Sequence, residues 1–328
     1  MGHKITKPDK LDFDGSKTKF TETFHNSEII ITEGSLAERL KSEYKTELDD
    51  FVNHSGLIYS NPSLIKNVYQ QYLDIGKKYD LPILITTPTR NVNKTSVAKS
   101  KFKGKNIHSD SISFLKEIRN NYGDYSSKIF IGGMIGCKGD AYSGTNHLNT
   151  SDAYNFHKMQ ASEIASQKPD FILGTLMPEI NETIGMAKAI AETGIPYIIS
   201  FMIRKDGMLL DKTPLFEAIR IIDQEVNPKP LCYITNCIHP TNLLSAINCD
   251  LNKNQPEIQR LAGLQANASI LSPEELDKCT ITQQNDFEKI IDEIKVLHEV
   301  FNLKILGGCC GTNDIFIEKL SKNLKKYA

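Results

Sequence analysis

At 328 residues and 40% hydrophobic, the chain is longer than one small core needs, which leaves two domains or one large closed α/β architecture. Its 39 Lys and Arg balance 40 Asp and Glu, so no one-sided field draws nucleic acid, and no run approaches the about 18 apolar residues of a membrane span or a signal-peptide core. The expected partners are therefore small molecules and the expected compartment the cytoplasm. Seven cysteines, an odd number spread along a long chain, point to reduced thiols or thiolate ligands and away from a disulfide framework.

In chain order, residues 1–27 read as a polar arm. Eight short Ile-, Leu- and Val-rich runs follow, at 28–34, 81–87, 128–133, 170–175, 196–201, 231–237, 261–268 and 303–309, each leaving through Gly, Thr, Ser or Asn. Segments with helical spacing lie between them, at 109–122, 182–192 and 285–300. The last puts Phe287, Ile290, Ile291, Ile294 and Leu297 on one face. Continuous apolar strands alternating with amphipathic helices predict a parallel sheet covered by helices, and eight such units fit one (β/α)8 barrel over 28–328. The stretch 90–108 reads as a polar loop and Lys319 to Lys326 as the solvated end of a terminal helix. Gly132 to Gly136 lacks the full G-x-G-x-x-G spacing and reads as a strand-end turn. His147, His157 and His298 read as surface or capping residues, whereas His239 is a candidate for entering the site.

Active sites of such barrels form where the strands end and the βα loops begin. The polar residues that close each run are then the candidates: Glu33, Thr87, Thr89, Gly132, Gly133, Thr175, Ser200, Asn236, Asn267, Cys237, Cys309 and Cys310. Strands six and eight stand two apart around the ring, which lets Cys237 and the adjacent pair Cys309 and Cys310 converge. Three thiolates suit zinc and leave its fourth position open, as a catalytic site requires. Gly307, Gly308 and Gly311 are expected to relax the backbone so that neighbouring cysteines reach one ion. A disulfide between two of the three is the lesser competitor. Cys137, Cys232, Cys249 and Cys279 read as small buried hydrophobes.

The segments T-N-C-I-H-P (235–240) and G-G-C-C-G-T (307–312) resemble those of the zinc-dependent homocysteine S-methyltransferases. That family includes betaine- and S-methylmethionine-dependent enzymes and the homocysteine module of cobalamin-dependent methionine synthase. The resemblance extends through I-T-E-G (31–34), T-P-T (87–89), I-S-F (199–201) and A-N-A (266–268). It implies a (β/α)8 barrel in which Cys237, Cys309 and Cys310 bind zinc. The implied reaction moves a methyl group from a sulfonium, ammonium or corrinoid donor to a thiol, homocysteine (giving methionine) or a related one. Glu33, Gly34, Thr87, Thr89, Arg90, Thr175, Ser200, Asn236 and Asn267 are the residues expected to bind substrate.

Three positions depart from the family pattern. Glu33-Gly34 replaces Asp-Gly, Thr175-Leu176 replaces Glu-Thr, and Arg90-Asn91 stands where relatives often carry an aromatic residue. One anchoring carboxylate is lost and a cation is gained, so homocysteine is expected to be used weakly and a thiol without a free amine, or with an extra anion, better. Glu179 or Glu182 swinging in to replace the missing carboxylate is the competing expectation. The alternative functions are a zinc-dependent lyase or hydrolase on the same barrel, or a non-catalytic protein that binds metal or thiols.

Overall fold

The computed structural model describes residues 17–143, 148–271 and 286–328. Eight parallel strands close into one barrel in chain order: β1 (Ile30–Thr32), β2 (Ile83–Thr86), β3 (Ile129–Gly136), β4 (Phe171–Met177), β5 (Tyr197–Phe201), β6 (Cys232–Ile238), β7 (Leu261–Ala266) and β8 (Ile305–Gly308). Ile30 pairing with Ile305 and Ile31 with Leu306 seals the ring. The principal helices are α1 (Lys19–Asn26), α2 (Ala37–Ser42), α3 (Leu57–Ser60), α4 (Pro62–Tyr79), α5 (Lys94–Lys99), α6 (Ile107–Asn120), α7 (Thr150–Ser166), α8 (Ile180–Ala191), α9 (Leu215–Glu225), α10 (Pro240–Asn248), α11 (Phe287–Phe301) and α12 (Asp314–Leu324).

Local chemistry sets these boundaries. Asn61 caps α4 through Leu64 N with Pro62 as its first residue, and the helix stops at Asp80 in the left-handed region. Asp286 caps α11, which buries Ile290, Ile291, Ile294 and Leu297 and ends at Asn302, also left-handed. No described helix is long and apolar enough to cross a membrane.

Three expectations change. Residues 19–26, read as part of a polar arm, form a helix that buries Phe20 and Phe24 with the inward-facing residues Ile30, Leu84, Phe130 and Phe171. The Phe20 ring stacks on Phe171 with centroids 4.8 Å apart. Burying two such rings contributes on the order of 1.5–3 kcal/mol each, which makes α1 a plug for the N-terminal end of the barrel and not an arm. Within 90–108, Asn93 and Ser96 form a reciprocal cap and start the short α5. Gly132 to Gly136 is strand and not a turn: a Cβ on Gly132 would lie 2.4 Å from Phe171 Cζ, and one on Gly133 2.2 Å from Ile164 Cγ2. These glycines admit large neighbours on both faces of β3. With the N-terminal end closed by aromatics, the C-terminal mouth is left for chemistry.

Candidate functional site

The sulfurs of Cys237, Cys309 and Cys310 all lie within 4.8 Å of one another, and Cys237 Sγ is 3.6 Å from Cys310 Sγ. A register shift between Asn236 and Ile238 bulges β6, and Cys237 takes φ 56°, a left-handed conformation uncommon for a side-chain-bearing residue. From the other side, Cys309 N donates to Ala266 O (2.7 Å) and Ala268 N to Cys310 O (2.9 Å), stitching the turn after β8 to the end of β7. The glycines serve differently from the expectation. Gly311 alone among those three has a positive φ, 75°. Gly307 and Gly308 give clearance, since a Cβ on them would stand 2.0 Å from Thr32 Oγ1 and 2.1 Å from Thr312 Oγ1.

The three thiols titrate as one unit. Hydrogen bonds from Cys309 and Cys310 hold Cys237 well below the ordinary thiol value, and Cys309 and Cys310, facing that sulfur, are pushed up. Tyr142, on the loop after β3, donates its hydroxyl to Cys237 Sγ at 3.3 Å. Its backbone carbonyl accepts from Arg204 Nη2 (3.0 Å), and Ala141, Leu176 and Met202 pack with it around Cys237.

A cavity of about 150 Å³ lies against these sulfurs. Glu33, only 4% exposed, also lines it, and its Oε1 accepts from Thr86 N (3.0 Å) and Thr86 Oγ1 (2.5 Å). Glu33 Oε2 is buried without a hydrogen-bond partner. Desolvation raises this carboxyl from 4.5 to about 7, against the lowering effect of the Thr86 bonds. Gly34 is fixed by crowding, because a Cβ there would lie 2.9 Å from Tyr72 Oη. Asn236 Nδ2 donates to Thr175 Oγ1 (2.9 Å) and Ser200 Oγ to Asn236 Oδ1 (2.6 Å), a closed set of buried neutral groups. The remaining rim is cationic in character: Arg90 lines the cavity beside His54, whose ring is held down to about 3 by burial, Arg90 and Lys41.

Of the expected substrate residues, Glu33, Gly34, Thr87, Arg90, Thr175 and Asn236 line this cavity with the three cysteines. Thr89 and Ser200 support it from behind, bonding to lining residues, and Asn267 does not line it. Thr89 Oγ1 donates to Met134 O (2.7 Å), Ser200 holds Asn236, and Asn267 Oδ1 accepts from Ser269 N (2.9 Å). The reading missed His54, Tyr142 and Gln265, which also line the cavity. His54 and Tyr142 come from long loops, where sequence gives no register.

The replacement carboxylates fail to arrive. Glu182 is wholly buried and turned away, its Oε1 accepting from Lys138 N (2.6 Å) and facing His157 Nε2 (2.9 Å); Glu179 does not line the cavity. His157 is thus a fully buried partner of Glu182 and not a surface residue. His298 fits the capping reading, its Nδ1 being 3.0 Å from Leu303 O. His239 caps α10 through Thr241 N and does not line the cavity. Cys232 is buried as expected, Cys137 and Cys249 are half-buried, and Cys279 and His147 lie outside the described residues.

Comparison with known proteins agrees with this geometry. The family model for homocysteine S-methyltransferase matches residues 30–324. The homocysteine methyltransferase MmuM from Escherichia coli superposes in its metallated form with a TM-score of 0.73 at 17% identity, over 93% of this chain and all of that one. Its oxidized form gives 0.74 at 17%, over 94% of this chain and all of that one. No curated protein sequence matches the chain.

Proposed function

The chain belongs to the homocysteine S-methyltransferase family, and from that premise we propose that it moves a methyl group from a sulfonium, ammonium or corrinoid donor to homocysteine or a related thiol, with zinc on Cys237, Cys309 and Cys310. The observation that carries the proposal is the pairing, in one cavity, of three converging sulfurs with a buried carboxylate oxygen that has no partner. The sulfurs suit a thiol through their metal, and the carboxylate suits an α-ammonium.

The cluster fits the metal. Tetrahedral zinc with Zn–S bonds of about 2.3 Å sets sulfurs about 3.8 Å apart. The 3.6 Å between Cys237 and Cys310 is close to that spacing. Bound there, zinc supplies the charge that keeps an acceptor sulfur deprotonated at neutral pH. Everything else falls to the chain's own groups. Glu33 Oε2 accepts a hydrogen bond from the acceptor's ammonium, while Thr86 keeps the carboxylate from turning away. The Tyr142 hydroxyl orients Cys237 and draws off part of its negative charge. Ala141, Leu176 and Met202 cover the sulfurs and exclude water from the reacting thiolate. Thr175 stays neutral and bonded to Asn236, so among the described residues Glu33 alone lines the cavity with a carboxylate for the amine.

Mass spectrometry on a panel of thiols, with each donor class in turn, tests the proposal. Methyl transfer adds one methyl group to the thiol and removes it from the donor. A lyase or hydrolase would alter the donor and leave every thiol unmethylated, and a binding protein would return both unchanged.

A further inference from the structure

A second cavity of about 160 Å³ adjoins the first, and Arg90, Thr175 and Leu176 form walls of both. Arg90, Asn91 and Lys138 give this second cavity its character, and among the described residues no carboxylate side chain lines it. The neighbouring carboxylates accept backbone bonds, and Asp140 lies within electrostatic reach of Arg90 without forming an ion pair with it. Asp140 accepts from Tyr142 N (3.0 Å), and Glu182 holds Lys138 N and faces His157. Asn93 and Ser96 also reach the cavity but are spent on capping one another. Arg90, by contrast, makes no hydrogen bond or ion pair with any described residue, and neither does the Asn91 amide. The Arg90 backbone and Cγ pack close against Gly136, where an added Cβ would come within 2.5 Å of the Arg90 carbonyl and 2.7 Å of its Cγ. A guanidinium rooted at the wall of both cavities, with its donors unclaimed among the described residues and beside a neutral Thr175, matches a planar oxyanion.

We propose that this side cavity is a carboxylate-binding subsite, in which Arg90 and Asn91 hold a carboxylate carried by one of the two methyl-transfer substrates. It rests on the methyl-transfer reading for the identity of those substrates, while the anion site itself stands on the cavity. Its charge selects for substrates that extend past Thr175 and Leu176 and end in an anion. Cationic substrates without a carboxylate are disfavoured by the same guanidinium.

Isothermal titration calorimetry on the zinc-loaded full chain tests it with matched probes. The acceptor arm compares 3-mercaptopropionate with 3-mercaptopropanol, and the donor arm compares dimethylsulfonioacetate with trimethylsulfonium. In one arm the carboxylate should bind about tenfold or more tightly, the scale of one charge-assisted bidentate contact, and that arm identifies the carrier. Arg90→Ala should reduce the advantage below about twofold, and Arg90→Lys should keep part of it, since a point charge replaces a fork. Thr175→Glu, which sets a carboxylate against the guanidinium, should erase the advantage by a second route if Arg90→Ala folds poorly. No preference in either arm, or a preference that survives Arg90→Ala, overturns the subsite. Arg90-dependent carboxylate binding with no methyl transfer to any thiol would retain the subsite and overturn the methyl-transfer reading; methyl transfer without carboxylate preference would do the reverse.

Discussion

The two halves of the barrel mouth are held in different ways. On the side of β6 to β8, the cysteines are fixed by backbone: a bulge turns Cys237 inward, ladder bonds tie Cys309 and Cys310 to β7, and Gly307 and Gly308 leave no room beside Thr32 and Thr312. On the side of β2 to β4, the groups facing the cavity are presented largely by loops: Arg90 without a hydrogen bond or ion pair among the described residues, His54 from the segment before α3, and Tyr142 from the loop after β3. On the proposed function, chemistry that needs three atoms at fixed separations falls to the rigid half. The loop-borne groups can change polarity without moving the sulfurs, and the proposed side-cavity recognition falls to them.

If that division is right, the largest effect comes from breaking the rigid half. Replacing both Cys309 and Cys310 by Ser should lower zinc, measured by elemental analysis, from about one per chain to a trace and abolish methyl transfer, with the barrel still folded by circular dichroism. Retained metal would show that the sulfurs are not its ligands. Glu33→Gln should weaken an amine-bearing acceptor about ten- to hundredfold, read as its dissociation constant, and leave a thiol without an amine unaffected. In the wild type the same affinity should strengthen as pH rises through about 7, where Glu33 ionises, and the variant should lose that dependence. Stability carries the opposite sign. The folded chain keeps the Glu33 proton up to about 7 whereas a free carboxyl releases it near 4.5, so this group favours the folded state most below the lower value and loses that contribution as pH rises through the higher one. Glu33→Gln should therefore flatten the fall in substrate-free melting temperature between about pH 4.5 and 7.

Smaller changes sharpen the contrast. Gly307→Ala forces a methyl against Thr32 in a packed strand, and chemical denaturation should show a loss of about 1–3 kcal/mol, typical of overpacking. Tyr142→Phe removes one hydrogen bond to Cys237 from a loop, so turnover should fall only about three- to tenfold, the scale of about 0.5–1.5 kcal/mol. An effect as large as that of the cysteine variants would place Tyr142 in the rigid half.

The same contrast explains what the sequence revealed. All eight strands were legible, because a buried parallel strand is an unbroken apolar run. The cysteines were legible because two short motifs end two strands whose place in a closed ring is fixed. Tyr142 and His54 were not, since the reach of a long loop has no periodicity. The wholly buried His157 and Glu182 were not either, because each reads as a polar residue on a helix until α7 and α8 are packed together. The plug α1 escaped notice because its two inward phenylalanines lie among polar neighbours over eight residues, too short a window for a helical pattern to declare itself.

The most direct test of the central claim is X-ray absorption at the zinc edge on the metal-loaded chain without substrates. Cys237, Cys309 and Cys310 predict three sulfur neighbours at about 2.3 Å and one lighter, exchangeable neighbour. A shell of nitrogen and oxygen, or one that keeps three sulfurs after Cys237→Ser, would contradict it.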